Sequence, residues 1–306
     1  RTRECTHNPC EYCAEKKLQR KQATNAKDLQ RIADELARHR DDVFADRRVY
    51  KHYCVMSEAA TKRTHGVYDP CRSVLSVTID GMDQSKFKCP RNVQASKLWD
   101  NRWRPQLGFA GALVHGVCEC FYIVEPGQQK SGSTIVEVLA LTLEKVVDIL
   151  TQRGVQMPMH LQLQLDNTSR ENKHVTLLRF LNYLTRMFAS SGVHFFRVGH
   201  THCDIDQRFS IVGPTMAAAQ ELETPGDFAA VIRAHYEPLT GHDLHVQILE
   251  GVRDWKLWLS TFGDLITGHT GKGSARAFKF IRYKNLDPGL RGLDFQSIDG
   301  FGGPQD

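Results

Sequence analysis

The sequence lacks any apolar run long enough to cross a lipid bilayer, which takes about 20 consecutive residues. Its longest hydrophobic stretch, Val136–Leu150, is interrupted by charged side chains at Glu137, Glu144, Lys145 and Asp148. The composition therefore predicts a chain with no membrane association.

The sequence also lacks a regular disulfide framework. It has nine cysteines, an odd number, and three of them (Cys5, Cys10 and Cys13) crowd into its start while the others are scattered. This distribution favours a reducing compartment, the nucleus or the cytoplasm, and one local metal cluster.

A strong excess of one charge is missing as well. The formal net charge is +5 over 306 residues, with a pI near 8.7. That balance is compatible with a polyanionic partner but does not by itself indicate one. Hydrophobic residues make up 41% of the chain and charged residues 25%, which is typical of globular proteins and excludes wholesale disorder.

Proline and glycine are absent from residues 15–60, where Leu29, Ile32 and Leu36 recur at helical spacing. This pattern predicts one or two polar helices, and Gly66 and Pro70 mark where they end. We divide the chain into a Cys-rich, basic helical region (1–70), a core (71–215) and a C-terminal extension of that core (216–306).

The core alternates strand and helix patterns. The spacing of apolar residues predicts a strand ending near Asp80, two strands over 109–124, a helix over 133–153 and a strand over 161–165, then a helix over 174–191 stopped by Gly192, a strand over 193–198 and a helix starting near Asp206. The order indicates an α/β fold, a mixed sheet flanked by helices.

Acidic residues follow three of the predicted strands: Asp80, Asp166, and the pair Asp204 and Asp206. Carboxylates that meet at one end of a sheet repel one another unless a cation lies between them. Oxygen ligands of this kind suit Mg²⁺ or Mn²⁺. A strand-end aspartate is also a common turn former or helix cap, so the case rests on all three sites together.

This order of elements resembles the ribonuclease-H-like fold of DDE-type transposases and integrases. The segments LDNTSRENK (165–173) and GHTHCDID (199–206) are similar to those of a transposase-like family of eukaryotic mobile elements. The resemblance extends from Ser73 to Phe209.

The resemblance implies a metal-dependent nuclease or DNA strand-transferase site. Asp80, Asp166 and Asp206 would be its catalytic metal ligands, with Asp204 as the alternative to Asp206. The third acid of DDE enzymes is usually Glu, so Asp is a departure. Asn167 and Asn172 would orient water or phosphate, unless they serve only as turn and cap residues.

His200 and His202 have two further interpretations. They can form hydrogen bonds that orient the aspartates without binding the metal themselves, or they can play a purely structural role. The segment also resembles the Gly-His-Thr-His motif of metallophosphoesterases and the His-x-His-x-Asp-His motif of metallo-β-lactamase-like hydrolases. The partner motifs of the former and the last histidine of the latter are missing, since Ile205 stands in that place.

The first residues offer four ligands for a structural Zn²⁺: Cys5, His7, Cys10 and Cys13. Four ligands within so few residues are crowded. Residues before Arg1, or Cys54 with His52, are alternative ligands for completing the site.

Basic residues accompany the acidic positions and predict contact with nucleic acid, DNA in the first place. Trp99 and Trp103 lie among them and can stack on unpaired bases. The candidate residues are Lys86, Lys88, Arg91, Arg102, Arg104, Lys272 and Arg276.

Together these observations favour a transposase-derived enzyme that cleaves or transfers phosphodiester bonds. The alternative is a catalytically silent descendant that binds nucleic acid or protein. The resemblance further implies a homodimer.

Overall fold

The computed structural model describes residues 10–61, 73–82, 87–92, 103–127, 132–166, 173–219, 221–261, 277–281 and 296–297. Two short strands, β2 (Arg91–Asn92) and β7 (Glu221–Leu222), pair with each other. The remaining strands form one mixed sheet in the order β10-β9-β6-β5-β1-β3-β4-β8. They are β1 (Val74–Gly81), β3 (Gly108–Val114), β4 (Cys118–Val124), β5 (His160–Leu165), β6 (Ser190–Phe195), β8 (Asp243–Leu249), β9 (Ala277–Ile281) and β10 (Gln296–Ser297).

Seven helices accompany the strands in the described part of the chain. They are α1 (Glu11–Gln22), α2 (Ala26–Thr61), α3 (Gly132–Gln152), α4 (Val175–Leu184), α5 (Asp204–Ala218), α6 (Pro225–His235) and α7 (Trp255–Ser260). None of these helices combines the length and apolar composition that crossing a bilayer requires.

The centre of the sheet has the ribonuclease-H-like order β4-β3-β1-β5-β6. Strand β3 is antiparallel to both of its neighbours, β1 and β4, whereas β5 and β6 run parallel to β1. The predicted α/β fold class, with helices flanking a mixed sheet and a helical N-terminal region, is confirmed.

One face of the sheet, which we call the apolar face, carries Leu75, Val77 and Ile79 of β1. Helix α3 presents apolar side chains at helical spacing and packs on β3 and β4, while α4 packs on β6. Because these side chains are almost fully excluded from water, this face supplies most of the hydrophobic stabilisation.

The opposite face, which we call the polar face, carries Ser76, Thr78 and Asp80 of β1, because neighbouring strand residues point to opposite sides. Helix α2 packs on β1, and α5 packs on β1 and β3. An aromatic cluster also lies here, formed by Phe87, Phe109, Phe121, Phe209, Phe228 and Tyr236.

The element boundaries after residue 174 differ from the sequence prediction. Helix α4 ends at Leu184 instead of continuing to 191, and β6 begins at Ser190. Gly192 lies within β6 and does not stop a helix. The periodicity misled because Met187, counted with the buried stripe, is 57% exposed in the turn that follows α4.

Candidate functional site

Asp80 and Asp166 lie at the ends of two adjacent parallel strands. Asp80 is near the end of β1, and Asp166 follows β5 directly. The last recorded pair of these strands is Thr78 with Gln164, so the same register two residues later sets Asp80 opposite Asp166. Neighbouring strands are about 4.8 Å apart, which makes the two aspartates close neighbours.

Both aspartates belong to the polar face. On β5, Leu161, Leu163 and Leu165 enter the apolar core, so alternation sends Asp166 to the other side, as it does Asp80. Both side chains are partly buried. Two carboxylates therefore share one end and one face of the sheet.

Helix α5 begins over the same place. Gly111 of β3 is the strand partner of Asp80. A Cβ atom at Gly111 would lie 2.7 Å from Phe209 Cε1 and 3.1 Å from Ile205 Cδ1, both on α5. Only glycine lets the helix approach this closely, so the first two turns of α5 lie directly beside Asp80.

The start of α5 carries the third acidic position. The Asp206 carboxylate accepts a hydrogen bond from the backbone N–H of Cys203 (2.7 Å), closing a capping box. Its other oxygen lies 3.7 Å from His202 Nδ1. Asp206 is thus held in place by the helix that it caps.

Asp204 faces a buried polar network under α2. Its Oδ2 lies 3.4 Å from Nε2 of His115, which in turn lies 3.3 Å from the Tyr50 hydroxyl. Burial opposes the charged form of His115, but hydrogen bonds with Asp204 and Cys54 outweigh it and raise the pKa of His115 to about 9. The bond from His115 lowers the pKa of Asp204, so the two form an ion pair.

Three of the aspartate carboxylates affect the pKa of the Cys203 thiol. Burial raises its pKa well above the usual value, and the charges of Asp206, Asp80 and Asp204 add to this, in that order after burial. The charges of Asp206, Asp80 and Asp204 thus all act on this one buried thiol.

Among the described residues, two groups of metal-ligating side chains have all their ligand atoms within 4.8 Å of one another. One is Cys54, His115 and Asp204. The other is Cys10, Cys13, His39 and His200, which we call the Cys/His cluster. Asp80, Asp166 and Asp206 do not form a group by this distance within the described residues.

The Cys/His cluster combines residues that the sequence prediction had assigned to different roles. Cys10 and Cys13 were predicted zinc ligands, whereas His200 was predicted to support the aspartates. Burial lowers the pKa of both His39 and His200, and nearby cations such as Arg197 lower them further. Cys5 and His7 lie outside the described residues.

Sequence reasoning did not identify His39 or His115, and it considered Cys54 only as an alternative ligand for the N-terminal zinc site, whereas Cys54 lies with His115 and Asp204. His39 and Cys54 lie within the long helix α2, and His115 lies in the turn between β3 and β4. None of them belongs to a local motif, so their partners become visible only in three dimensions. Of the two histidines in the Gly-His-Thr-His segment, His200 joins the Cys/His cluster and His202 is 64% exposed beside Asp206. Asn167 and Asn172 lie outside the described residues.

The predicted nucleic-acid contacts lie in different settings. Lys88 is exposed, Arg91 donates to the backbone oxygen of Met216 (3.0 Å) near the end of α5, and Arg104 donates to that of Pro90 (3.3 Å). Trp103 is 87% exposed. The other four, Lys86, Arg102, Lys272 and Arg276, lie outside the described residues.

Comparison with known proteins identifies the family of the chain, but the function of that family is unknown. Residues 97–287 match a family described as a domain of unknown function, DUF7869. No curated protein and no solved structure matches the chain.

Proposed function

We propose that this chain, which belongs to the DUF7869 family, is a nuclease or DNA strand-transferase that depends on Mg²⁺ or Mn²⁺. The observation that carries the proposal is the parallel pairing of β1 with β5, whose register, continued by two residues, brings Asp80 and Asp166 to one face of a ribonuclease-H-like sheet. The resemblance of the acidic segments to transposase-like proteins points the same way.

The donor set fits a hard divalent cation. Two partly buried carboxylates on strands about 4.8 Å apart repel each other, and a divalent ion with oxygen ligands relieves that repulsion. Bound Mg²⁺ or Mn²⁺ would activate a water molecule or a DNA 3′-hydroxyl and stabilise the leaving oxygen.

The third ligand comes from the first turn of α5. We assign it to Asp206, because the resemblance to the transposase-like family keeps this position and because its carboxylate lies in the first turn of α5. Asp204 is the alternative, but its carboxylate is engaged by His115.

The nucleic acid would approach along the loop that precedes β3. Strands β1 and β3 are antiparallel, so β3 begins at the end of the sheet where Asp80 lies. The exposed side chain of Trp103 lies in this loop. Lys88 forms an antiparallel β-bridge with Gln106 and so lies at the same end of the sheet. An exposed indole stacks on unpaired bases, and lysine neutralises phosphate.

The test is Mn²⁺ binding, measured by calorimetry, together with Mn²⁺-dependent cleavage of duplex and single-stranded DNA. Asp80→Asn and Asp166→Asn should each abolish cleavage and weaken Mn²⁺ binding at least about 10-fold, since each removes one charged ligand. Asp148→Asn is the matched control, because this aspartate is exposed on α3 at the apolar face.

A wild-type chain that binds DNA but neither takes up Mn²⁺ nor cleaves would overturn the enzyme proposal. It would support the silent binder in its place. The engagement of Asp204 by His115 and of Asp206 by the helix cap is the observation that favours this alternative. Sedimentation of the same sample tests the expected homodimer.

A further inference from the structure

Four metal-ligating side chains from three distant parts of the chain meet at the junction between the N-terminal helices and the core. Cys10 and Cys13 lie at the start of α1, His39 lies in the middle of α2, and His200 lies in the loop between β6 and α5. Their ligand atoms all fall within 4.8 Å of one another.

Three of the six distances between these ligand atoms are close to the edges of a small tetrahedron. Cys10 Sγ lies 3.5 Å from His39 Nε2, Cys13 Sγ lies 3.6 Å from His200 Nε2, and the two Nε2 atoms are 3.1 Å apart. Zn–S bonds of about 2.3 Å and Zn–N bonds of about 2.0 Å require ligand-to-ligand edges of roughly 3.3–3.8 Å. The two sulfur-to-nitrogen distances fall in that range, and the nitrogen pair is slightly shorter.

The loop before α5 is shaped to receive the start of α1. Gly199, next to His200, has a φ of +77° and lies against the backbone of Cys10. A Cβ atom at this position would lie 2.4 Å from the Cys10 Cα atom, so any other residue would push the two segments apart. This close backbone approach is independent of the side-chain distances and brings the same two segments together.

We propose that Cys10, Cys13, His39 and His200 bind one structural Zn²⁺ ion. Two thiolates and two imidazoles are a common zinc ligand set, and four protein ligands leave no open position for catalysis. The ligand set differs from the local one that the sequence suggested, because His39 and His200 take the places given to Cys5 and His7. The ion would fasten α1 and α2 to the loop that leads into α5.

The zinc content of the purified 306-residue chain tests this proposal. After reconstitution with one equivalent of Zn²⁺ and desalting, we expect one zinc per wild-type chain. Cys13→Ser, His39→Asn and His200→Asn should each lose most of it, whereas Cys5→Ser and His7→Asn should retain it. Asp166→Asn serves as a control that removes the predicted Mg²⁺ or Mn²⁺ ligand and should also retain the zinc.

X-ray absorption spectroscopy at the zinc edge identifies the ligand atoms in the wild-type chain. It therefore tests the proposal even if the variants fail to fold. We expect two sulfur and two nitrogen ligands, at about 2.3 Å and 2.0–2.1 Å. A chain without zinc, a first shell of three or more sulfur atoms, or zinc lost in Cys5→Ser and kept in His39→Asn would overturn the proposal. Retention of zinc together with absent nuclease activity would sink only the proposed function.

Discussion

The two faces of the sheet differ in how their helices contact the strands. On the apolar face, α3 and α4 pack through a continuous hydrophobic cluster that includes Leu163 of β5 and Leu139 of α3. On the polar face, hydrophobic packing is combined with a buried ion pair between helix and strand, whereas the buried Glu137 of α3 pairs with Arg253, which precedes α7, and not with the sheet. Glu119 of β4 pairs with Arg208 of α5 at 2.9 Å, and their side chains are only 1% and 11% exposed.

This difference indicates that the apolar face mainly stabilises the fold, whereas the polar face positions the acidic residues. Hydrophobic contacts are non-directional and tolerate small shifts, whereas a buried ion pair fixes position and orientation. Glu119 also accepts a hydrogen bond from the Tyr236 hydroxyl and one from the backbone N–H of Leu239 (2.6 Å). The polar face therefore fixes the helix whose first turn carries Asp206, while the apolar face supplies the rigid support beneath it.

The largest effect is expected from breaking the buried pair of the polar face. Glu119→Ala would leave Arg208 buried without its carboxylate and should lower the free energy of unfolding by about 3–5 kcal/mol. Urea denaturation measures this loss. Asp148→Ala, which removes an exposed carboxylate, is the control and should change stability by less than about 0.5 kcal/mol. A loss below 1 kcal/mol in Glu119→Ala would contradict the assigned role of the pair.

The next effect tests the apolar face. Leu163→Ala opens a cavity in the middle of β5 and should cost about 2–5 kcal/mol of unfolding free energy. Because its side chain points away from Asp166, the folded variant should bind Mn²⁺ as the wild type does. Weaker Mn²⁺ binding, measured by calorimetry under conditions where the chain is folded, would show that the two faces are not separable in this way.

A smaller effect is expected where α5 meets the sheet. Gly111→Ala places a methyl group against Phe209 and should cost about 1–3 kcal/mol through overpacking. It should also displace the start of α5 and so weaken cleavage more than Leu163→Ala does. The comparison is made on DNA cleavage rates at equal folded fractions. Equal rates in the two variants would argue against a role for α5 in the acidic site.

The smallest expected effect is an increase, not a decrease, in the free energy of unfolding. Asp166→Asn removes one of two neighbouring like charges and should raise the free energy of unfolding by about 0.5–2 kcal/mol in metal-free buffer. Thermal denaturation with and without Mn²⁺ measures it, and the gain should vanish when Mn²⁺ stabilises the wild type. A destabilised Asp166→Asn in metal-free buffer would show that its carboxylate serves structure first.

The sequence predicted those features that depend on local patterns. Alternation identified β1 and β5, and the position of an acid after each strand was enough to place Asp80 and Asp166. The sequence did not reveal the partner of Asp204, because His115 reaches it only through the turn between β3 and β4. It also did not reveal His39, whose proximity to Cys10 depends on how α1 folds back on α2.

The last quarter of the chain supplies strands at both margins of the sheet: β8 lies beside β4, and β9 lies beside β6. During synthesis, β4 and β6 thus emerge well before the strands that cover them, with unpaired backbone groups open to other chains. A fragment ending at residue 215 would keep every acidic position yet expose both margins. We expect it to aggregate in expression trials, so biochemical work calls for a chain that extends at least through Ile281.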